Sequence, residues 1–338
     1  MSATATASDP ARHMPPRERS RILVVTPNPA VDVTYAVAAH TVGTTVRVST
    51  VHREPGGKGV NVARVLRCLG ADDVTALQPL GGDTGRWIAQ ELARLQIRAV
   101  AVEASVPTRT TVTVVDGIAH PTVFSEPGGP LGADGWRSLE AAVEAHSSAG
   151  DVVVVSGSLP PDAPDDAIAL LVAAAHRSGA RIIVDAGGAA LRTAAAAGAD
   201  IVKPNEAELL ESTGAATVAD GIEALLARGA GAVVVSRGAD GIIAAERSGI
   251  PSAVPGVPGV DGNPTGAGDA ATAAIALSLA SHRPLAEALR LATVVGAAAV
   301  LSPVAGVVDP ARLPELARRL TDDDRPALSF SPTGALLT

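Results

Sequence analysis

The stretch GNPTGAGDAA at 262–271 sets an anion-receptive turn beside a carboxylate. Gly266, Ala267 and Gly268 lead into an Ala-rich run, and backbone N–H groups that open a helix attract anions. Asp269 occupies the same turn, where its charge repels an anion unless the two serve different partners. Gly266-x-Gly268-x-x-Ala271, with Glu287 about 20 residues on, also fits a dinucleotide fingerprint. That fingerprint follows a buried strand, whereas VPGVPGVDGNP (254–264) precedes this one. The ordinary reading is a Gly-rich helix cap with an acid in its first turn, where the dipole favours it.

Other segments carry groups that can do chemistry. EPGGKGVNVARVL (54–66) places Gly57, Lys58 and Asn61 at the start of an amphipathic helix. It lacks the spacing of a Walker A loop; its N–H groups and Asn amide suit polyol hydroxyls, or simply turn the chain. KPNEAELL (203–210) puts Lys203, Asn205 and Glu208 just after a strand. An amide and a carboxylate there can hold Mg²⁺ through water, since that ion keeps much of its hydration shell. The same spacing is also a capping box. VVVSRGADG (233–241) ends a strand in a turn with Ser236, Gly238 and Gly241, a candidate wall for a nucleotide. Asp32 in TPNPAVD can accept hydrogen bonds from a sugar or serve as a turn residue. Arg109 lies in a Thr/Val strand, suited to a phosphate or to a surface ion pair. No HExxH, zinc set or GxSxG nucleophile elbow occurs.

The elements that must hold these groups follow from periodicity. RILVVT, DVTALQPL, DVVVVSGS, RIIVDAG, DIVKPN and AVVVSRG are short apolar runs rich in β-branched residues. Helix-like segments at 59–69, 84–95, 136–145, 165–177 and 221–228 separate them. Apolar strands without alternation imply a mostly parallel sheet covered on both faces, hence a doubly wound α/β fold. Residues 33–53 and 97–125 alternate Thr and Val and predict a small inserted β-sheet acting as a lid or a dimer surface. Residues 1–20 read as a disordered leader and 322–338 as a loose tail, bounding one domain over 21–321.

Composition narrows the partners. With 47% hydrophobic residues in 338, a sizeable core is expected. The net charge of −8 argues against nucleic acid or an anionic membrane as partner. One cysteine, Cys68, allows no intrachain disulfide and suits the cytoplasm. The uncharged stretch Leu291–Val308 is interrupted by Ser302, Pro303 and Gly306, so it predicts a buried helix ending near Leu301, not a membrane span.

Taken in order, VTPNPAVDVTY, GGKGVNVARVL, GGDTG, VSGSLPPDAP, KPNEAEL, VVVSRGADG and PTGAGDAATAA resemble the PfkB (ribokinase-like) carbohydrate kinase family. They are most similar to its 1-phosphofructokinase and tagatose-6-phosphate kinase branch, across residues 21–310. The resemblance implies that Asp269 is the general base and that the N–H groups of Gly266, Ala267 and Gly268 form the anion hole. It assigns Asn205 and Glu208 to Mg²⁺, and Lys203, Ser236, Gly238 and Gly241 to the ATP side. Asp32, Gly57, Lys58 and Asn61 become sugar contacts, and Arg109 the phosphate contact. DAGGAAL (185–191) departs from the branch, which more often carries Asp-x-Ser-Gly. The implied reaction is ATP-dependent phosphorylation of a phosphosugar, first fructose 1-phosphate. The alternatives are tagatose 6-phosphate, fructose 6-phosphate or another hexose, and a homodimer through the lid is implied. Outside the class stand an NAD-dependent dehydrogenase and a non-catalytic sugar-phosphate sensor.

Overall fold

A computed structural model describes residues 20–40, 43–116, 122–302, 304–320 and 328. The expected leader and tail therefore lie, but for Ser20 and Leu328, outside the described residues. The chain opens with β1 (Ile22–Val25), then leaves the main sheet as β2 (Ala30–Ala36) and β3 (Thr50–Gly56). α1 (Lys58–Cys68), β4 (Val74–Leu80), α2 (Gly82–Arg94) and β5 (Arg98–Glu103) bring it back. A second excursion comprises β6 (Arg109–Val115) and β7 (Thr122–Ser125). The alternation resumes with α3 (Gly132–His146), β8 (Val152–Ser156), α4 (Ala167–Arg177), β9 (Arg181–Asp185) and α5 (Gly188–Ala196). It continues through β10 (Ile201–Val202), α6 (Glu206–Thr213), α7 (Val218–Arg228) and β11 (Ala232–Ser236). β12 (Ile242–Glu246), β13 (Ser252–Val254), α8 (Ala267–Ala280), α9 (Leu285–Val300) and α10 (Leu313–Arg319) follow.

The main sheet has nine strands in the order β13-β12-β11-β10-β9-β8-β1-β4-β5. From β5 to β11 every pairing is parallel; β12 and β13 add an antiparallel edge. Burial on both faces explains the unbroken valines of β8, all five of whose residues are buried. Side-chain alternation splits the core in two. Ile22, Val24, Val152 and Val154 pack with α1, α8 and α9, while Leu23, Val25, Val153 and Val155 pack with α3, α4, α5 and α7.

α8 is buried from Asp269 to Ala280, which accounts for its Ala-rich composition and lack of a polar face. α9 ends at Val300 with Leu301 as its cap, matching the predicted buried helix. Among the described residues, no helix is long and apolar enough to cross a membrane.

The small sheet is real, with the order β3-β2-β6-β7 and a central parallel β2–β6 pair. Its boundaries differ from expectation. β5, inside the segment expected at 97–125, pairs parallel with β4 at the edge of the main sheet instead. Its alternating pattern comes from being an edge strand, with only Val102 buried.

Candidate active site

Asp269 lies in the first turn of α8, at the carboxyl edge of the sheet, and is 6% exposed. Asn61, from α1, donates Nδ2–H to Asp269 Oδ2 at 2.9 Å. Burial pushes the Asp269 carboxyl up, and the neighbouring charge of Asp185 adds to this. The Asn61 hydrogen bond and the ammonium groups of Lys58 and Lys203 oppose the rise, leaving a pKa of about 7. A carboxylate so placed can take a proton near neutral pH.

Beneath it lies a second acid. Asp185 ends β9, and Lys203 follows β10 on the neighbouring strand, with Nζ 3.1 Å from Asp185 Oδ2. Thr272 Oγ1, one turn along α8, donates to the same oxygen at 2.6 Å. Lys58 Nζ lies 3.8 Å from Asp185 Oδ1 and 3.4 Å from Glu208 Oε1. Burial opposes ionisation of Asp185, but Lys203, Lys58 and the Thr272 hydroxyl outweigh it and hold the carboxyl below its usual range. Burial likewise works against the Lys58 ammonium, and Asp185, Glu208 and Asp269 overcome it, raising its pKa. Two lysines and two aspartates thus share one floor, where each charge is offset by a neighbour.

The turn above this floor needs glycine. Gly266 caps α8 at φ 84°, and a Cβ there would stand 2.9 Å from Ala305 Cβ. The three expected anion-hole donors are not equivalent: Ala267 N–H already donates to Pro264 O at 3.1 Å. That bond closes the turn and takes Ala267 out of the set, leaving Gly266 and Gly268 as the candidates. Lys203 Nζ approaches Gly268 from below, 3.8 Å from where its Cβ would be. Lys203 itself is 3% exposed, so it faces the underside of this turn and not open solvent.

Asn205 and Glu208 form the capping box of α6. Glu208 N–H donates to Asn205 Oδ1 at 2.8 Å, and Asn205 N–H donates to Glu208 Oε2 at 2.9 Å. Asn205 also bridges to Ser236 at the end of β11, which joins this helix start to the turn expected on the nucleotide side. That turn is closed by Arg237 N–H donating to Gly241 O at 2.8 Å and Gly241 N–H to Gly238 O at 3.2 Å. Among the described residues, no three His, Cys, Asp or Glu side chains converge on a metal position. The oxygens of Asn205 and Glu208 already accept backbone N–H groups or face Lys58. They therefore fit a hard cation that keeps its water shell better than one bound directly.

The candidates for the sugar side lie toward the small sheet. Asp32 of β2 is partly buried and pressed against Gly56, whose missing Cβ would overlap its carboxylate. Burial raises Asp32 to about 6, while the Gly57 N–H, Arg109 and Arg64 pull it down. Arg109, on β6, donates Nε–H and Nη2–H to Asn28 O at 3.3 and 3.2 Å, and Nη1–H to Ser125 Oγ and Glu126 O at 2.8 and 2.9 Å. A guanidinium has five N–H bonds, so one remains, together with the positive charge. Arg109 does not touch the floor around Asp269; it is linked to the rest through Asp32.

Sequence reasoning did not single out Asp185, Thr272, Glu54 or Arg64. Asp185 stood in the quoted DAGGAAL, but an acid ending a strand looks like any turn acid without its lysines. Glu54 and Arg64 flank the chosen Gly57–Asn61 segment and pair with each other, the Arg64 guanidinium donating to Glu54 Oε2.

Residues 25–312 match the pfkB family carbohydrate kinase. The ATP-dependent 6-phosphofructokinase isozyme 2 of Escherichia coli strain K12 is 37% identical over 258 residues, covering 74% of this chain and 82% of that protein. The 1-phosphofructokinase of Rhodobacter capsulatus is 34% identical over 310 residues, covering 89% and 97%. The solved phosphofructokinase-2 from Escherichia coli in complex with potassium has a TM-score of 0.84 at 32% identity, covering 89% of this chain and 99% of that one. The dehydrogenase reading loses its only support, because the glycine turn follows the antiparallel edge strand β13 and no buried parallel strand. A match this long, over a ribokinase-like sheet with its separate small sheet, makes the chain a member of the pfkB family of carbohydrate kinases, enzymes that transfer a phosphoryl group to a sugar.

Proposed function

We propose that this kinase uses Mg-ATP to phosphorylate a fructose phosphate at its free hydroxymethyl end, with fructose 1-phosphate as the leading substrate and fructose 1,6-bisphosphate as product. The observation that carries the reading is Asp269 held by Asn61 beside a glycine turn, with Arg109 displaced toward the lid. A furanose with one phosphorylated and one free hydroxymethyl arm fits a site with a base at one end and a cation at the other. The 97% coverage of the Rhodobacter capsulatus 1-phosphofructokinase favours fructose 1-phosphate. The higher identity to the Escherichia coli 6-phosphofructokinase isozyme favours the second reading, fructose 6-phosphate. Tagatose 6-phosphate shares the same arms.

In this reading Asp269 accepts the proton of the attacking hydroxyl. The N–H groups of Gly266 and Gly268, with the helix dipole behind them, receive the transferring phosphoryl oxygens. Lys203 sets that turn from beneath, and Ser236, Gly238 and Gly241 border the nucleotide. Asn205 and Glu208 hold Mg²⁺ through water; when bound, the ion neutralises charge on the ATP phosphates. Asp32, Gly57, Lys58 and Asn61 orient the sugar, and Arg109 faces its phosphate. Catalysis here is positioning plus charge compensation, so one carboxylate suffices as base.

The unit carrying this activity is residues 21–321, with the small sheet as its lid. Val51 and Phe124, at 48% and 58% exposed, lie on one face of that sheet by strand register and support pairing with a second copy there. Phe124→Asp shifting a dimer to monomer in sedimentation velocity checks this; an unchanged mass ends it.

The substrate test is ADP release with Mg-ATP across fructose 1-phosphate, fructose 6-phosphate, tagatose 6-phosphate and free hexoses. The highest kcat/KM is expected for fructose 1-phosphate. A higher value for fructose 6-phosphate transfers the assignment to the second reading. Binding of phosphosugar without any ADP release would leave a sensor.

A further inference from the structure

We infer that Arg64 is a positioning residue that ties the lid to the glycine turn at the start of α8. The inference rests on the kinase reading above. Arg64 lies on α1, three residues after Asn61, and is 8% exposed despite its charge. Its two arms go to different parts of the molecule. Nη2 makes the ion pair with Glu54 of the lid strand β3, two residues before the Gly56 that abuts Asp32. Nη1 donates to Ala305 O at 3.3 Å.

The 305–306 segment is the link onward. A Cβ on Gly306 would lie 3.1 Å from Arg64 Nη1 and 2.8 Å from Asn61 Oδ1, so backbone packs directly on both side chains. Ala305 stands on the other side against Gly266, whose own Cβ would be 3.0 Å from Ala305 Cα. Lid strand, Arg64, residue 305 and Gly266 therefore form one contiguous line of close contacts. Asn61, on the same helix face, holds Asp269. A displacement of β3 moves Glu54, and close packing passes it to the turn that receives the phosphoryl group.

An arginine suits this place on α1 because separate nitrogens of one rigid group meet Glu54 and Ala305 O. Its planar fork fixes the two acceptors at a set spacing, whereas a lysine offers a single flexible ammonium. Near-attack geometry is sensitive to sub-ångström placement, and about 1 Å of misplacement costs on the order of 10²-fold in rate. Arg64 also lowers the Asp32 pKa, and that influence depends on charge alone. The two roles are therefore separable by substitution.

Arg64→Lys keeps the charge beside Asp32 and loses the fork. It is expected to lower kcat by about 10- to 100-fold, with the KM for ATP and the pH profile unchanged. Arg64→Met loses both, lowering kcat further and moving the acid limb of kcat/KM for the sugar upward. Glu54→Gln combined with Arg64→Lys should be no worse than Arg64→Lys alone, since both cut one link. Arg64→Lys activity within about twofold of wild type, or fully multiplicative losses in the double variant, would overturn the inference. So would a fall in kcat matched by a rise in both KM values and a lost thermal transition, the mark of a merely structural residue. A wild type inactive on every fructose phosphate sinks the kinase reading instead. Amide hydrogen exchange in the unliganded protein then still decides: Glu54→Gln and Arg64→Lys should speed exchange at 266–268 and 305–306, and unchanged rates reject the link.

Discussion

Asn61 Nδ2 and Asp269 Oδ2 stand 2.9 Å apart, joining the start of α1 to the start of α8 across 208 positions of sequence. The bond restrains a carboxyl that burial and Asp185 both drive toward protonation. It is one of three influences, with the Lys58 and Lys203 ammonium groups, that keep this carboxyl from rising further.

Asp269→Asn keeps shape and removes the proton acceptor. Turnover should fall by about 10² to 10⁴-fold, while titration calorimetry still records phosphosugar binding. Near-normal kcat in this variant would remove Asp269 as base.

The pH dependence follows from the same group. The base acts ionised, so kcat/KM should decline as pH falls through about 7. Asn61→Ala removes an influence that lowers this pKa and should move that acid limb upward. Stability has the opposite sense. The native carboxyl binds its proton more tightly than the unfolded one at 3.8, so stability from this group is lost as pH rises from about 4 through about 7. Asp269→Asn should thus gain stability relative to wild type at pH 8, and the difference should vanish below pH 4. Denaturant titrations at the two pH values measure it.

Two lysines share Asp185 and should behave differently. Lys203, 3% exposed, is the nearer cation to Asp185, and Lys203→Met leaves that buried carboxylate only the more distant Lys58 and the Thr272 hydroxyl, expected to cost about 3 kcal/mol. Lys58 has 44% of its side chain exposed, so Lys58→Met should cost less than about 1 kcal/mol. It should nevertheless impair turnover, because it lies between Asp185 and Glu208. Equal losses of stability for the two would contradict this.

Gly56→Ala places a methyl against the Asp32 carboxylate. The sugar KM should rise by about tenfold or more with the ATP KM unchanged, an effect of losing uniform binding. An unaltered sugar KM would take Asp32 out of the sugar contacts.

Much of this was legible in the residues. The apolar runs gave away a parallel sheet because such strands have no solvent face to encode. Asp269, Asn61 and Glu208 were visible because glycine turns and cap spacing mark where helices begin. Arg98–Glu103 misled, since an edge strand of the main sheet alternates just as a strand of the small sheet does. Asp185 and Arg64 were hidden for another reason: each is defined by partners tens to hundreds of positions away. The engaged N–H of Ala267 could not be read either, being a property of turn closure and not of composition.

The capping box of α6 coincides with the position proposed above for a hydrated ion. Asn205 and Glu208 tie off the first turn with the same oxygens that would face hydrated Mg²⁺. An ion that drew either oxygen fully to itself would forfeit a cap worth about 1 kcal/mol. On the proposed reading, occupancy here is weak and readily reversed, which suits a cation that arrives and departs with the nucleotide on every cycle.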